Sequence, residues 1–263
     1  MAVDPLMSPP ADARRSDPYG STRTNVCARH ALLTADGIVP SALPGWTKAA
    51  CYVTISPAMG SRFSQLRVEM DADGSGKGST EGRQMVVYVL SGTLMVETKT
   101  PQFTKHRLRV GGFIYLPPGT NYHLAAAEAK TNILIFDKQY QPLAGVDAPK
   151  ILVGSEQDVA GAPFLGDPAA MLQVLLPDTP NFDMAVNVFK YAPGATLPFV
   201  ETHIMVHGLV MLGGEGIYRL EESWYPVRAG DAIWMAPYCP QWFVATGKEP
   251  ASYIYYKDVN RWP

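Results

Sequence analysis

The stretch FVETHIMVHGLVMLGGEG, residues 199–216, places Glu201, His203 and His207 within seven positions of a chain that has five histidines in all. One carboxylate and two imidazoles are donors of the kind that hold a divalent metal, and their spacing decides whether they can act together. In a β-strand side chains alternate faces, so positions 201, 203 and 207 project from one side; in an α-helix only 203 and 207 would stack. Local composition favours strand. Val200, Thr202, Ile204, Val206, Leu209 and Val210 are β-branched or apolar, Pro198 precedes the run, and Gly208, Gly213, Gly214 and Gly216 disfavour helix. The expected local structure is strand, turn, strand, with the three donors on one face.

Residues from one strand rarely complete a metal site, so a fourth donor is expected from a neighbour. The turn GDAIWMAPYCPQWF, residues 230–243, supplies Gln241, whose amide oxygen is a neutral hard donor. Two imidazoles, a carboxylate and an amide, without a thiolate, suit Mn2+ or Fe2+ in roughly octahedral geometry with open positions; Zn2+ is a further candidate. One negative ligand charge leaves such an ion Lewis-acidic. The competing reading is structural, because a histidine on a buried strand commonly does no more than hydrogen-bond within the core. Tyr253, Tyr255 and Lys257 alternate along the last strand, so one face carries two phenols and an ammonium, an unusual load for an apolar barrel interior. The plainer alternatives are packing at a barrel mouth for the tyrosines and an exposed strand end for Lys257.

The elements that must position these groups are short runs of Val, Ile, Leu, Tyr and Phe punctuated by Gly and Pro, with no long stretch of helical period. That pattern predicts an all-β sandwich or barrel. The runs also repeat. RVGGFIYLPPGTNYH (109–123) is echoed by RAGDAIWMAPYCPQW (228–242), and NILIFDK (132–138) by SYIYYKD near the C-terminus, at an offset of 119 that places Lys138 opposite Lys257. An upstream glycine turn, LSGT at 90–93, matches LGGE at 212–215 at an offset of 122. Two copies of one β-domain account for this. The expected division is a mobile arm over 1–25, a first domain over 26–145 and a second over 146–263. The boundary falls in the Pro-, Gly-, Asp- and Ala-rich stretch 142–165, with ILVG reaching back to pair with the first copy. Carried back by these offsets, positions 201, 203, 207 and 241 become Ser79, Glu81, Met85 and Tyr122, of which only Glu81 could ligate. The first domain is therefore expected to be metal-free, with His106 and His123 structural or exposed.

A formal net charge of −2 without basic clusters argues against nucleic-acid and anionic-membrane partners. The three scattered cysteines, Cys27, Cys51 and Cys239, suit a reducing compartment, and the sequence shows neither a signal-peptide core nor a membrane-length apolar run. A cytoplasmic protein is expected.

The paired repeat, the glycine turn followed by GDxxxxxP, and the His and Glu donors resemble the cupin superfamily in its two-domain, bicupin form. Most metal cupins present His-x-His followed by Glu and a final His; this chain has Glu-x-His-x3-His with Gln last. The order ETHxxxHGxxxLxGxGxYxL, with PVxxGDxIWMxPxxxQ, SYIYYKDxNR, HALLTADGIVPSALPGW (30–46) and YLPPGT (115–120), is similar to the (S)-ureidoglycine aminohydrolase family of purine and allantoin degradation. That resemblance implies two tandem cupin barrels, a homo-oligomer, and Mn2+ on Glu201, His203, His207 and Gln241. It implies substrate contacts at Tyr218, Tyr253 and Lys257, with Lys257 and Glu201 as candidate catalytic groups. The implied small-molecule reaction replaces an amino group by hydroxyl and releases ammonia. Two other readings are a metal bicupin oxygenase or decarboxylase, against which the Glu and Gln substitutions argue, and a metal-free binding or storage bicupin, against which the retained trio argues.

Overall fold

The computed structural model describes residues 22–99, 102–127 and 130–261. Within them the expected all-β architecture is present: every regular element is a strand apart from three short 3-10 turns. β1 (Asn25–Val26) and β2 (His30–Leu33) open the described chain. β3 (Trp46–Ile55), β4 (Phe63–Ser79), β5 (Arg83–Ser91), β6 (Leu94–Thr98), β7 (Thr104–Leu108), β8 (Gly112–Leu116), β9 (Asn121–Ala126), β10 (Thr131–Gln139) and β11 (Leu152–Ser155) follow. β12 (Ala162–Phe164), β13 (Asp167–Val174), β14 (Met184–Tyr191), β15 (His207–Gly213), β16 (Glu215–Leu220), β17 (Ser223–Arg228), β18 (Ala232–Met235), β19 (Gln241–Ala245) and β20 (Ala251–Asp258) complete it. No helix among the described residues is long and apolar enough to cross a membrane.

The chain divides into two units, but not at a single point. One unit holds Pro40–Ala160 and the returning segment Pro177–Asp183; the other holds the residues up to Val39, Gly161–Leu176 and the residues from Met184 onward. The expected cut at 145/146 therefore moves in both directions. Residues 146–160 stay with the first copy because β11 pairs β8 from Leu152↔Tyr115 to Ser155↔Gly112, as the ILVG segment suggested. The strand at His30–Leu33 goes to the second copy because it pairs β18 from Leu33↔Ala232 to His30↔Met235, burying all four of its residues. An edge strand left open at β18 would expose a row of unpaired backbone groups, and β2 covers it. The described end of the supposed mobile arm is anchored as well. Arg23 donates two hydrogen bonds of 2.8 Å to the Asp231 carboxylate and one of 2.8 Å to Pro226 O. The remainder of that arm, 1–21, lies outside the described residues.

In the first unit the nine strands run β11-β8-β5-β10-β4-β9-β6-β7 with β3 on β4. Alternation along β5 and β10 turns Met85, Val87 and Val89 and Ile133 and Ile135 into one apolar core with Ile114 and Leu116. This face corrects the repeat. Asp137, not Lys138, continues the inward row of β10, and Arg83 meets it with Nε 2.9 Å from both carboxylate oxygens. Lys138 lies on the other face, where its Nζ donates to Asp183 O at 2.6 Å and sits 3.0 Å from Oδ2. The last-strand echo is thus one residue out of register with Lys257. Glu81 is exposed in a turn, at φ 49°. His106 bonds Thr104 Oγ1 at 3.1 Å and His123 stands 3.7 Å from Glu97, both partly exposed.

In the second unit the main sheet runs β1-β2-β18-β15-β20-β14-β13-β12, faced by a three-stranded sheet β17-β16-β19. The apolar core formed by both includes Leu32, Phe189, Leu209, Tyr218, Ile233, Phe243, Tyr253 and Tyr255. Gly214 makes the turn from β15 to β16 at φ +70°, where a Cβ would lie 2.5 Å from Pro250 O, so only glycine fits.

Candidate metal centre and pocket

Register sets the inner wall of the second unit. His207, Leu209 and Met211 on β15 stand opposite Lys257, Tyr255 and Tyr253 on β20, and Tyr255 and Tyr253 stand opposite Asn187 and Phe189 on β14. Directly paired residues of an antiparallel ladder share a face, so all of these side chains point inward. From the facing sheet come Tyr218 and Gln241, one diagonal step apart on β16 and β19.

The segment carrying the first two donors is not the strand that its composition predicts. β15 starts only at His207; Glu201 forms an isolated bridge with Gln241, and a bend at Ile204 interrupts residues 202–206. The donors converge for a different reason. Glu201 N donates to Gln241 O at 2.8 Å and Gln241 N donates to Glu201 O at 2.9 Å, while His203 O accepts the Tyr238 N–H at 2.7 Å. Backbone pairing across 40 residues of chain, rather than alternation along one strand, sets these positions.

Glu201, His203, His207, Gln241, Tyr218, Tyr253, Tyr255 and Lys257 line one cavity of about 520 Å³, counted to its open mouth; Phe164, Phe189, Met205 and Leu209 supply its apolar wall. His203 Nε2 is 3.0 Å from Gln241 Nε2, and the Tyr218 hydroxyl donates to Gln241 Oε1 at 3.1 Å. The rings form a stack: His203 to His207 at 4.5 Å, His207 to Tyr255 at 5.6 Å and an angle of 2°, Tyr255 to Phe189 at 5.7 Å. Asn187 Nδ2 donates to the Tyr255 hydroxyl at 3.0 Å, and the hydroxyls of Tyr191 and Tyr253 are 3.0 Å apart.

Burial lowers the proton affinity of His203, and of His207 still more; the Lys257 charge acts in the same direction on both, and His203 adds to the effect on His207. Both rings are therefore neutral near pH 7, the form that ligates. Burial raises the Glu201 carboxyl, with Lys257 opposing it. Burial also lifts the phenols of Tyr218 and Tyr253 well above 10 and raises that of Tyr255, so all three remain neutral donors.

The donor set fits a divalent cation by its chemistry and by its orphaned atoms. His203 Nδ1 and His207 Nε2 are buried without a hydrogen-bond partner, which a core histidine ordinarily avoids. The cluster is not closed: among the described residues, no three His, Cys, Asp or Glu side chains stand together as a ready ligand set. His203 and Gln241 touch and His207 stacks on His203, while Glu201 joins them through its backbone bridge and the shared cavity wall.

Sequence reading overlooked Asn187, although a lone polar residue at an inward position of the run MAVNVFKY is a visible signal. It also overlooked the ties from the N-terminal segment. Buried His30 bonds Glu221 Oε2 through Nδ1 at 3.1 Å and the Tyr225 hydroxyl through Nε2 at 2.9 Å, and nothing in the sequence around it marks those partners.

A Cupin domain family profile matches residues 187–256. The chain is 36% identical over 264 aligned residues to the (S)-ureidoglycine aminohydrolase of Arabidopsis thaliana, covering 100% of this chain and 85% of that one. It is 33% identical over 235 residues to the protein of the same name from Escherichia coli strain K12, covering 88% of each. The crystal structure of protein Ylba from E. coli superimposes with a TM-score of 0.83 at 30% identity, covering 92% of this chain and 96% of that one. Identity at this level along the whole chain, with the fold shared, makes this protein a member of the (S)-ureidoglycine aminohydrolase family of cupins.

Proposed function

We propose that the protein catalyses the hydrolytic deamination of (S)-ureidoglycine to (S)-ureidoglycolate and ammonia, with Mn2+ held by Glu201, His203, His207 and Gln241, and Fe2+ or Zn2+ as less suited occupants. The observation that carries this reading is the meeting of an acid, two neutral imidazoles, an amide, a lysine and three tyrosines in one cavity. That cavity lies in a chain 36% identical to a relative named for the reaction. When bound, the cation supplies fixed positive charge that orients an anionic substrate and stabilises charge developing on it.

The chain's own groups divide the remaining work. Lys257 stands opposite His207 on the ladder and presents its ammonium to the cavity, suited to the substrate carboxylate or to carrying a proton at Nζ. Tyr218 and Tyr253 line the same cavity with neutral hydroxyls, bonded to Gln241 Oε1 and to the Tyr191 hydroxyl, that would exchange those partners to donate to the ureido oxygen or carboxylate. Phe164, Phe189 and Leu209 supply the apolar wall beside these polar groups. In balance, the C–N bond breaks, water supplies the new C–O bond and one proton, and the nitrogen leaves as ammonia.

The test is ammonia release from freshly generated ureidoglycine together with elemental analysis of the purified protein. Wild type should release ammonia and carry stoichiometric transition metal; His203→Ala should lose both. Oxygen uptake during turnover, or full activity in metal-free protein, would overturn the reading.

A further inference from the structure

We propose that Arg29 is a positioning residue for His203, acting through the main chain of Tyr238. The inference rests on the metal-site reading above.

His203 lies in the irregular segment between the Glu201 bridge and β15, so no strand ladder fixes its backbone. What holds it is the hydrogen bond from Tyr238 N to His203 O, 2.7 Å. Tyr238 makes that bond from a left-handed conformation, φ 57°, which is unfavourable for a residue with a β-carbon. Its side chain does not explain the strain, since Tyr238 is 57% exposed. The first barrel shows the turn without the strain: the matching residue is Gly119, φ 78°, whose N–H donates to the carbonyl of Glu81, the counterpart of His203. The second barrel has a tyrosine where the fold calls for glycine, and something must hold it there.

Arg29 does so. Its Nη2 donates to Tyr238 O at 2.6 Å, its own carbonyl accepts Ala236 N at 2.9 Å, and its Nη1 is 3.2 Å from Glu221 Oε1. Glu221 is itself pinned, with its N–H on Pro240 O at 2.8 Å and its second carboxylate oxygen on His30. The turn between β18 and β19 is thus gripped on both sides of Tyr238, and the same turn delivers Gln241. One residue just before β2 controls the entry geometry of two of the four proposed donors.

The experiment measures Mn2+ binding to the metal-free protein by titration calorimetry or electron paramagnetic resonance, with thermal unfolding in parallel. Arg29→Met should weaken Mn2+ binding by about 3- to 10-fold, at or below the lower end of the range for a group that bonds a ligand directly, because Arg29 acts one peptide further out. Arg29→Lys should recover part of it. Tyr238→Gly supplies the separating variant: glycine holds the left-handed turn unaided, as Gly119 does, so Arg29→Met should cost little affinity in that background. An unchanged Mn2+ affinity in folded Arg29→Met, or an equal loss with and without Tyr238→Gly, would overturn the proposal. Failure of the wild type to bind Mn2+ would instead overturn the metal-site reading.

Discussion

Replacing Lys138 by methionine keeps a long aliphatic stem but removes an ammonium from one of the most enclosed ion pairs in the described structure. The Lys138 and Asp183 side chains are 4% and 0% exposed, and the carboxylate would remain buried after the cation is gone. Breaking a buried pair in this way costs about 3–5 kcal/mol. The lower end applies here, because Asp183 keeps hydrogen bonds from Gln84 Nε2 and, at 3.0 Å, from Gln141 N. A loss of about 3 kcal/mol in a chain of this size lowers the unfolding midpoint by roughly 6–12 °C at about 2–4 °C per kcal/mol. Lys138→Met with Asp183→Asn should regain most of that, since no charge is then left uncompensated. Lys257→Met, at the position that the sequence repeat equates with Lys138, should do the reverse: a midpoint within about 2 °C of wild type, and turnover reduced by about 100-fold or more, the range for a proton-transfer group. Calorimetry and ammonia release on the same samples decide the matter. If Lys138→Met silenced turnover at an unchanged midpoint, or metal-loaded Lys257→Met kept full activity, the assignment of one lysine to the fold and the other to chemistry would be wrong.

Stability of the metal-free protein should fall as pH drops below about 6.5, because the unfolded chain then protonates His203 and His207 while the folded rings stay neutral. Glu201, raised by burial, acts in the opposite sense, its contribution decreasing as pH rises from about 4.5 through its folded value. Urea midpoints between pH 7 and 5.5 should therefore decline in wild type and flatten in His207→Leu; parallel profiles would contradict this. Burial pushes the thiols of Cys51 and Cys239 up to about 11, so iodoacetamide at pH 8 should modify only Cys27 in native protein and all three cysteines in urea. Asn187→Leu removes the donor to the buried Tyr255 hydroxyl, so stability should fall by about 1–3 kcal/mol and KM should rise several-fold; equal KM values would remove Asn187 from the site.

Residue chemistry was legible in the sequence where the types are rare and wrong for their surroundings. Glu201, His203, His207, Gln241 and Lys257 stand out because a strand-rich core has little use for them, and the structure brings all five to one cavity. Alternation also predicted the inward face of β20 correctly, because Tyr253, Tyr255 and Lys257 lie within one unbroken strand. It predicted the face of Glu201 and His203 on a premise that fails: the backbone from 202 to 206 is irregular, and a period of two has no meaning there. What brings those donors round is pairing with Gln241 and Tyr238, partners too distant in sequence for any local pattern to reveal. The repeat misled in the same manner at Lys138, since a shift of one residue is invisible to composition yet reverses the face of a strand. The unit boundary was illegible for a related reason. HALL reads as a buried strand, but which sheet it joins depends on which edge is open, and the edge at β18 is made by residues two hundred positions later. That capture has a functional side. Because β2 pairs β18, the strand beside β15, the residue before it reaches the turn that carries Gln241, so the site depends on a segment that linear reading assigns to the other domain.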